Sequence, residues 1–238
     1  MHHNFLFDLD QTLLDFHASE YIGLKTVVNA RGFEFTDECY NYFKVRNKEL
    51  WLKLEKNEIT RTQPFETRFR LLFEKLGADT AGIDLLAVND DFILAMSRNG
   101  IPMEGALEFL HKLKESVKDA RIYIITNGVV VNAMGRIKST GLDKYLDDIF
   151  VSETIGYNKP AVEYFDTVLE KIGEPKESCI VIGDSLSSDI LDAKNAGITS
   201  CWFMPTDNTK KVRNEYNINY SAGSFDELYE ALKSWAEK

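Results

Sequence analysis

Short apolar runs alternate with stretches of helical periodicity over most of the chain. The run at 5–7 is apolar and ends in acidic residues, as a buried parallel strand does. From residue 102 onward, single strand patterns and single helix patterns follow one another. The predicted strands are 122–125, 148–152, 179–182 and 200–203, and the predicted helices are 106–113, 133–139, 160–172 and 188–196, with Pro160 in the first turn of its helix. Strands separated by single helices indicate an α/β fold with a doubly wound parallel sheet.

A different pattern fills the segment between the first strand and residue 99. Apolar residues recur there at helical spacing, for example at Tyr21, Leu24 and Val28, and Gly32 and Gly77 stand where helices are expected to end. We therefore predict an all-helical insertion of about four helices. The predicted domains are an α/β core of residues 1–16 and 99–238 and a helical domain of residues 17–98.

Composition and charge argue against two classes of partner, nucleic-acid polymers and membranes. The 238 residues include 28 Lys and Arg against 38 Asp and Glu, a net charge of −10, which argues against a nucleic-acid polymer as partner. We expect the three cysteines to be buried, reduced thiols. Because we find no run long enough to span a membrane and no leader-like start, we expect a cytoplasmic protein without a membrane partner.

Polar residues follow three of the predicted strands or precede the helix predicted at 160–172, at places that would share one edge of the sheet. The segments are Asp8-Leu9-Asp10-Gln11-Thr12, Thr126-Asn127-Gly128, Lys159-Pro160, and Gly183-Asp184 running on to Asp189. Ligands of open α/β sheets bind at this edge. Four carboxylates gathered there would repel one another unless a cation held them, and hard oxygen ligands suit Mg²⁺. The sequence therefore predicts a magnesium site at the edge.

These segments, in this order, resemble the motifs of the haloacid dehalogenase-like hydrolases: Asp-x-Asp-x-Thr, then Thr or Ser, then Lys, then Gly-Asp-x4-Asp. Each motif alone is weak, but the four together, each beside a predicted strand or helix, are specific. The resemblance extends over nearly the whole chain. It implies a Rossmann-like parallel-sheet core with an inserted helical cap, and Mg²⁺ as cofactor.

The resemblance also implies a reaction. Asp8 would attack phosphorus and form an aspartyl-phosphate. Asp10 would protonate the leaving oxygen and then activate the water that cleaves the intermediate. Asp8, the main-chain carbonyl of Asp10 and Asp184 would bind Mg²⁺, and Asp189 would support the metal from a second shell. Because dehalogenases lack an acid at the position of Asp10, the resemblance favours phosphate esters as substrates.

Further residues would hold the phosphoryl group or its loop. The expected phosphate-binding residues are Leu9, Asp10, Thr126, Asn127 and Lys159, of which Thr126 and Lys159 are also counted as catalytic. Thr12 would brace the loop. The alternatives are ordinary: solvated strand-end carboxylates at Asp8 and Asp10, a surface Lys159, turn residues at 126–128, and a helix cap at Asp189.

Within the family, the chain resembles the bacterial pyrimidine 5′-nucleotidases. The stretches that carry this resemblance are 47–51, 57–60, 124–128, 187–190, 195–198 and 201–202. It departs from the pattern at Gln11, where many relatives have an acid, and at Asp192-Ala193, where glycine is common. The resemblance implies nucleoside monophosphates such as dUMP, UMP or dTMP as substrates.

Two other functions stay open at this stage. One is a phosphatase for another small ester, such as phosphoglycolate or a sugar phosphate. The other is a non-catalytic phosphate sensor, although a sensor has no use for the acid Asp10. The aromatic residues of the insertion are expected to be mostly core, and Trp51 is the candidate for contact with a nucleoside base.

Overall fold

The computed structural model describes residues 2–56, 58–60, 62–204 and 218–238. Asn57, which belongs to one of the stretches behind the nucleotidase resemblance, lies outside the described residues. The chain divides into two compact units. The α/β unit comprises Met1–Phe16 and Gly100–Lys238, and the helical unit comprises His17–Asn99.

The α/β unit is built on a six-stranded sheet with the order β3-β2-β1-β4-β5-β6. The strands are β1 (His3–Phe7), β2 (Ala120–Thr126), β3 (Asp148–Val151), β4 (Cys179–Gly183), β5 (Thr199–Phe203) and β6 (Tyr220–Ala222). Every neighbouring pair is parallel. The strand order reverses at β1, which pairs with β2 on one side and β4 on the other. The predicted doubly wound parallel sheet is confirmed, and its crevice lies at the carboxyl end of β1.

Helices cover both faces of this sheet. They are α5 (Ala106–Ser116), α6 (Val130–Thr140), α7 (Ser152–Ile155), α8 (Val162–Ile172), α9 (Leu191–Ala196) and α10 (Phe225–Ala236). The alternation of side chains along β1 separates two cores: Phe5 and Phe7 pack with residues of α5, α6 and α10, whereas Leu6 packs with residues of α8 and α9. Because both faces are covered, the strands are apolar runs rather than alternating ones.

Two predicted helices differ in the structure. The helix at 160–172 begins at Val162, so Pro160 lies before it and not in its first turn. The backbone N–H and C=O of Lys159 are both bound by the side chain of Asn127, which holds this segment out of the helix. The helix at 188–196 is a π-helical turn, Leu186–Ile190, followed by α9.

Strand β6 and helix α10 were not predicted. A three-residue strand gives too short a pattern to recognise. Helix α10 did carry a start signal, because Ser224 precedes it and Glu227 follows three residues later. The Ser224 hydroxyl accepts the Glu227 N–H at 3.2 Å, and the Glu227 carboxylate accepts the Gly223 N–H at 2.8 Å.

The helical unit contains the four helices expected for the insertion. They are α1 (Phe16–Ala30), which begins one residue before the unit, α2 (Asp37–Glu55), α3 (Gln63–Lys75) and α4 (Leu85–Arg98). Its core is aromatic, with Phe43, Phe69 and Phe92 buried against one another. Arg68 is buried among these rings, where burial lowers its pKa to about 10 although Glu20 opposes the shift.

Cys39, Cys179 and Cys201 are all buried. Burial raises the pKa of the Cys179 thiol to about 11, so this thiol stays protonated near neutral pH. Across the described ranges, none of the helices has the length and apolar character needed to cross a membrane.

Candidate active site

Three of the four predicted segments meet at the side chain of Lys159. Its ammonium group donates hydrogen bonds to Asp8 Oδ1 at 2.7 Å, to Asp189 Oδ1 at 2.6 Å and to the carbonyl of Ile125 at 3.1 Å. Only 2% of the Lys159 side chain is exposed, so these three acceptors replace its water shell. Burial disfavours the charge, but the carboxylates of Asp189 and Asp8 raise the pKa of Lys159 above its usual value. Lys159 is therefore a permanent cation between two aspartates.

The segment at 183–189 also supplies a third carboxylate, that of Asp184. Asp8, Asp184 and Asp189 can each offer an oxygen such that all three oxygens lie within 4.8 Å of one another. Burial, followed by the charges of Asp189, Asp184 and Asp10, raises the pKa of Asp8 well above its usual range, against the opposing effect of Lys159. Burial and the Asp189 charge raise the pKa of Asp184 to about 7. Three close oxygen donors with excess negative charge fit a hard divalent cation.

The backbone around Asp184 is fixed by a neighbouring strand. The indole N–H of Trp202, on β5, donates to the carbonyl of Asp184 at 2.8 Å. Asp8 follows β1 directly, and its own N–H donates to Ile182 on β4 at 2.7 Å. Two adjacent strand ends therefore hold Asp8 and Asp184 in register.

Asp189 depends on the absence of a side chain at Gly183. A Cβ atom at Gly183 would collide with the carboxylate of Asp189. That carboxylate also accepts the Ser185 N–H at 3.0 Å through Oδ2. Asp189 lies inside the π-helical turn, and Ser185 is the residue that caps the turn, accepting from Ser188 N–H at 3.2 Å. The helix-cap alternative for Asp189 is therefore wrong.

Asn127 joins the second and third motifs. Its amide nitrogen donates to the carbonyl of Lys159 at 2.6 Å, and its amide oxygen accepts the Lys159 N–H at 2.7 Å. Thr126 ends β2 with its side chain buried, and its hydroxyl accepts the Gly128 N–H at 3.2 Å. The Asn127 side chain thus positions Lys159, and the phosphate contact of the Asn127 backbone amide stays a prediction.

The loop after β1 is closed mainly by its own backbone. The carbonyl of Leu9 accepts the N–H groups of Leu13 and Leu14 at 3.1 and 2.9 Å. The hydroxyl of Thr12 is buried and has no hydrogen-bond partner among the residues that the structure describes. Loop support by Thr12 stays a prediction, and any such support comes from packing.

The predicted acid, Asp10, forms an ion pair that no motif predicts. Arg136, on α6, donates from Nη1 to Asp10 Oδ1 at 2.5 Å and from Nη2 to Asp10 Oδ2 at 3.2 Å. The arginine is fully buried, whereas 29% of the Asp10 side chain is exposed. Asp10 therefore presents one face to solvent and the other to a fixed cation.

Trp51 lies outside this cluster, on α2 of the helical unit. Its side chain is half-buried, unlike Phe69, which is fully buried in the core of that unit. Phe65 is also half-buried, with the Arg68 guanidinium 5.7 Å from its ring centroid. Trp51 stays a candidate contact for the leaving group.

A family model described as haloacid dehalogenase-like hydrolase matches residues 3–197. The chain belongs to the haloacid dehalogenase-like hydrolases. Their family model spans every segment that forms the cluster, from Asp8 to Asp189.

Relatives within this hydrolase family are similar over most of their length. The pyrimidine 5′-nucleotidase PynA of Streptococcus pneumoniae is 34% identical over 228 residues, covering 95% of this chain and 93% of that protein. The pyrimidine 5′-nucleotidase YjjG of Escherichia coli is 34% identical over 197 residues, covering 82% and 83%. The crystal structure of the HAD-hydrolase YfnB of Bacillus subtilis, bound to magnesium, superposes with a TM-score of 0.86 at 31% identity, covering 97% of this chain and 98% of that one.

Sequence reasoning missed two residues of the hydrolase site and passed over a third. Arg136 and Trp202 act on Asp10 and on the Asp184 backbone from distant elements, and neither belongs to the four motifs, although Trp202 is in a stretch behind the nucleotidase resemblance. Asp192 was noted only as a departure from the family pattern. It is buried, and neither of its carboxylate oxygens has a hydrogen-bond partner in the described part of the chain.

Proposed function

We propose that this hydrolase is a Mg²⁺-dependent phosphomonoesterase in which Asp8 forms an aspartyl-phosphate intermediate. The observation that supports this most is the pairing of a buried aspartate with a buried lysine beside two further aspartates. A cluster built for structure alone would not bring three carboxylates within 4.8 Å of one another around one cation. The presence of Asp10 beside them supports phosphate esters as substrates.

Asp8 is the nucleophile in this proposal. Lys159 binds only one of its oxygens, Oδ1, so the second oxygen can attack phosphorus. The ammonium of Lys159 also offsets the charge that the incoming phosphate adds to the site. Thr126 and the backbone amide of Asn127 hold phosphoryl oxygens from the end of β2, and the backbone of Leu9 and Asp10 does so from the loop after β1.

Asp10 acts as acid and then as base. In the first step it gives a proton to the leaving oxygen, and in the second it takes one from the water that attacks the aspartyl-phosphate. Its partly exposed position suits a group that must reach both the leaving oxygen and water.

The residues present fit Mg²⁺, which would be held by Asp8, Asp184 and the main-chain carbonyl of Asp10. Asp189 would support the ion without binding it directly. When bound, the ion supplies charge neutralisation that lets a carboxylate approach a phosphate dianion. Because the pKa of Asp184 is raised to about 7, its carboxyl group must lose a proton near neutral pH before it can bind the ion.

We propose pyrimidine nucleoside monophosphates such as dUMP, UMP and dTMP as the substrates. The names of PynA and YjjG, at 34% identity each, support this choice. Residues that act on the phosphoryl group cannot distinguish one leaving group from another. We therefore propose that the insertion, predicted at 17–98, serves as a cap that selects the nucleoside, with Trp51 against the base. An apolar contact of this kind separates close analogues by about 1–3 kcal/mol, so we expect preference rather than exclusion.

The test is steady-state hydrolysis of dUMP, UMP, dTMP, dGMP and phosphoglycolate, with Mg²⁺ and with excess chelator. We expect metal-dependent turnover and a higher kcat/KM for the pyrimidine nucleotides. Asp8→Asn should lose essentially all turnover, whereas Asp148→Asn, the same change on an exposed residue at the start of β3, should not. Faster turnover of phosphoglycolate than of every pyrimidine nucleotide would refute the nucleotidase assignment. Full activity in excess chelator would refute the proposed requirement for Mg²⁺.

A further inference from the structure

Arg136 contacts the proposed acid and is not part of the family motifs. We propose that Arg136 is a positioning residue for Asp10, and that it ties the orientation of Asp10 to the two chain segments at 14–16 and 100–102, where the chain leaves and re-enters the α/β unit. This inference rests on the proposed function, in which Asp10 is the acid and base.

The ion pair has the geometry of a planar fork. Each terminal nitrogen of Arg136 faces a different oxygen of Asp10, at 2.5 and 3.2 Å, so the plane of the carboxylate is fixed as well as its distance. A carboxylate has about four lone-pair sites, and the fork uses one on each oxygen. One site on each oxygen stays available for a proton. Asp10 can therefore act on substrate without releasing Arg136.

Burial makes this pairing obligatory for Arg136. The side chain is fully buried, arginine does not deprotonate, and its Nε has no hydrogen-bond partner among the described residues. An arginine charge left without its carboxylate in that position would be strongly unfavourable. Arg136 therefore holds the Asp10 side chain in one orientation. Asp10 then loses its rotamer freedom when the protein folds and not in the reaction step.

The same arginine contacts both connecting segments. Its guanidinium carbon lies 5.5 Å from the centroid of the Phe16 ring. At the return segment, a Cβ atom on Gly100 would lie 2.5 Å from the Arg136 carbonyl oxygen and 2.9 Å from its Cα. The Gly100 N–H donates to Ser139 Oγ at 3.1 Å, and that hydroxyl donates to the Arg136 carbonyl at 3.0 Å.

The two segments are also bound to each other. The Asp15 N–H donates to the Ile101 carbonyl at 2.8 Å, and the Met103 N–H donates to the Leu13 carbonyl at 2.9 Å. A displacement of either segment is thus passed to the other and to the residue packed against both. Such a displacement reaches the Asp10 backbone through its bridge to Leu14, and it reaches the Asp10 carboxylate through Arg136.

The experiment compares the dependence of kcat/KM on the leaving group in wild type, Arg136→Met and Arg136→Lys. The substrates are aryl and alkyl phosphates that span good to poor leaving groups. Alkyl esters need a proton from Asp10 and nitrophenyl phosphate hardly does. We expect Arg136→Met to lower kcat about tenfold to a hundredfold more for alkyl esters than for nitrophenyl phosphate, with little change in KM. Arg136→Lys, which keeps the charge but loses the fork, should be intermediate.

Controls separate positioning from a structural role. Lys114→Met removes a 2.5 Å ion pair with Asp147, which precedes β3 at the opposite edge of the sheet, and should leave the leaving-group dependence as in wild type. In an Asp10→Asn background, Arg136→Met should add no further leaving-group effect. Equal losses of kcat for all esters in Arg136→Met would overturn the inference, and so would a leaving-group effect of Arg136→Met that persists in the Asp10→Asn background. In either case, metal-dependent turnover by the wild-type protein would still support the proposed function.

Gly100→Ala tests the connection to the segments. Its new Cβ must displace the Arg136 backbone, so we expect the same selective loss on alkyl esters, smaller than in Arg136→Met. Gly82→Ala, where an added Cβ meets nothing within 4 Å, is the matched control. A uniform loss on all esters in Gly100→Ala would overturn the connection. If Arg136→Met does not fold, Arg136→Lys and Gly100→Ala still decide the question.

Discussion

Asp192→Asn should stabilise the protein by an amount that grows as the pH rises from about 4 to about 7 and then levels off. The Asp192 side chain is 1% exposed, and neither oxygen has a hydrogen-bond partner in the described residues. Burial, with a contribution from Asp189 and against the effect of Lys159, raises the pKa of Asp192 to about 7. Asparagine has nearly the same shape and cannot ionise, so the substitution removes the cost of a buried charge.

The sign and size follow from proton linkage. Because the folded pKa lies above the unfolded value, the folded state binds the proton more tightly, and stability falls as pH rises from about 4 to about 7. The rise from 3.8 to about 7 is roughly three units, each worth about 1.4 kcal/mol, which gives a ceiling of about 4 kcal/mol above pH 7. Between pH 5 and pH 8 the expected change is about 1–3 kcal/mol.

The assay is urea unfolding of wild type and Asp192→Asn at pH 5, 6, 7 and 8 in the presence of chelator. The difference between the two free energies of unfolding cancels the contribution of Asp184, which titrates in both proteins. Asp148→Asn, at an exposed position, should track wild type at every pH. If the difference between Asp192→Asn and wild type is the same at pH 5 and pH 8, Asp192 carries no buried charge and the reasoning is refuted.

Three further predictions concern metal, packing and specificity. Mg²⁺ affinity by calorimetry should fall as pH drops through about 7, because Asp184 must lose a proton; equal affinity at pH 6 and pH 8 would contradict this. Gly183→Ala should lower kcat at least about tenfold, because its Cβ displaces the carboxylate of Asp189, whereas Gly82→Ala should not. Trp51→Ala should raise KM for dUMP and dTMP more than for phosphoglycolate; equal slowing of all substrates would assign Trp51 to the core of the helical unit.

The sheet was predictable because a strand buried on both faces appears in the sequence as a continuous apolar run. A run such as 179–182 has no polar residue, and the acid that follows it marks the strand end. In a parallel sheet, such ends necessarily gather at one edge. The meeting of Asp8, Lys159 and Asp184 therefore followed from the order of elements, without any knowledge of side-chain packing.

The side-chain contacts of Arg136 and Asn127 could not be predicted from the order of the elements. Arg136 is 126 residues from Asp10 in sequence, and an arginine on an amphipathic helix is usually solvated. The reciprocal hydrogen bonds of Asn127 to the Lys159 backbone likewise depend on how two loops pack. They also explain why Pro160, a favoured residue for a first helical turn, lies before the helix instead.

The stereochemical course at phosphorus tests the central claim most directly. A phosphate ester made chiral with three oxygen isotopes is transferred by the enzyme to an alcohol acceptor in place of water, and the configuration of the product is read by phosphorus NMR. Attack by Asp8 followed by attack of the acceptor makes two in-line displacements, each of which inverts the centre, so we predict overall retention. Inversion would show a single displacement and would contradict the aspartyl-phosphate, whatever the effect of Asp8→Asn on rate.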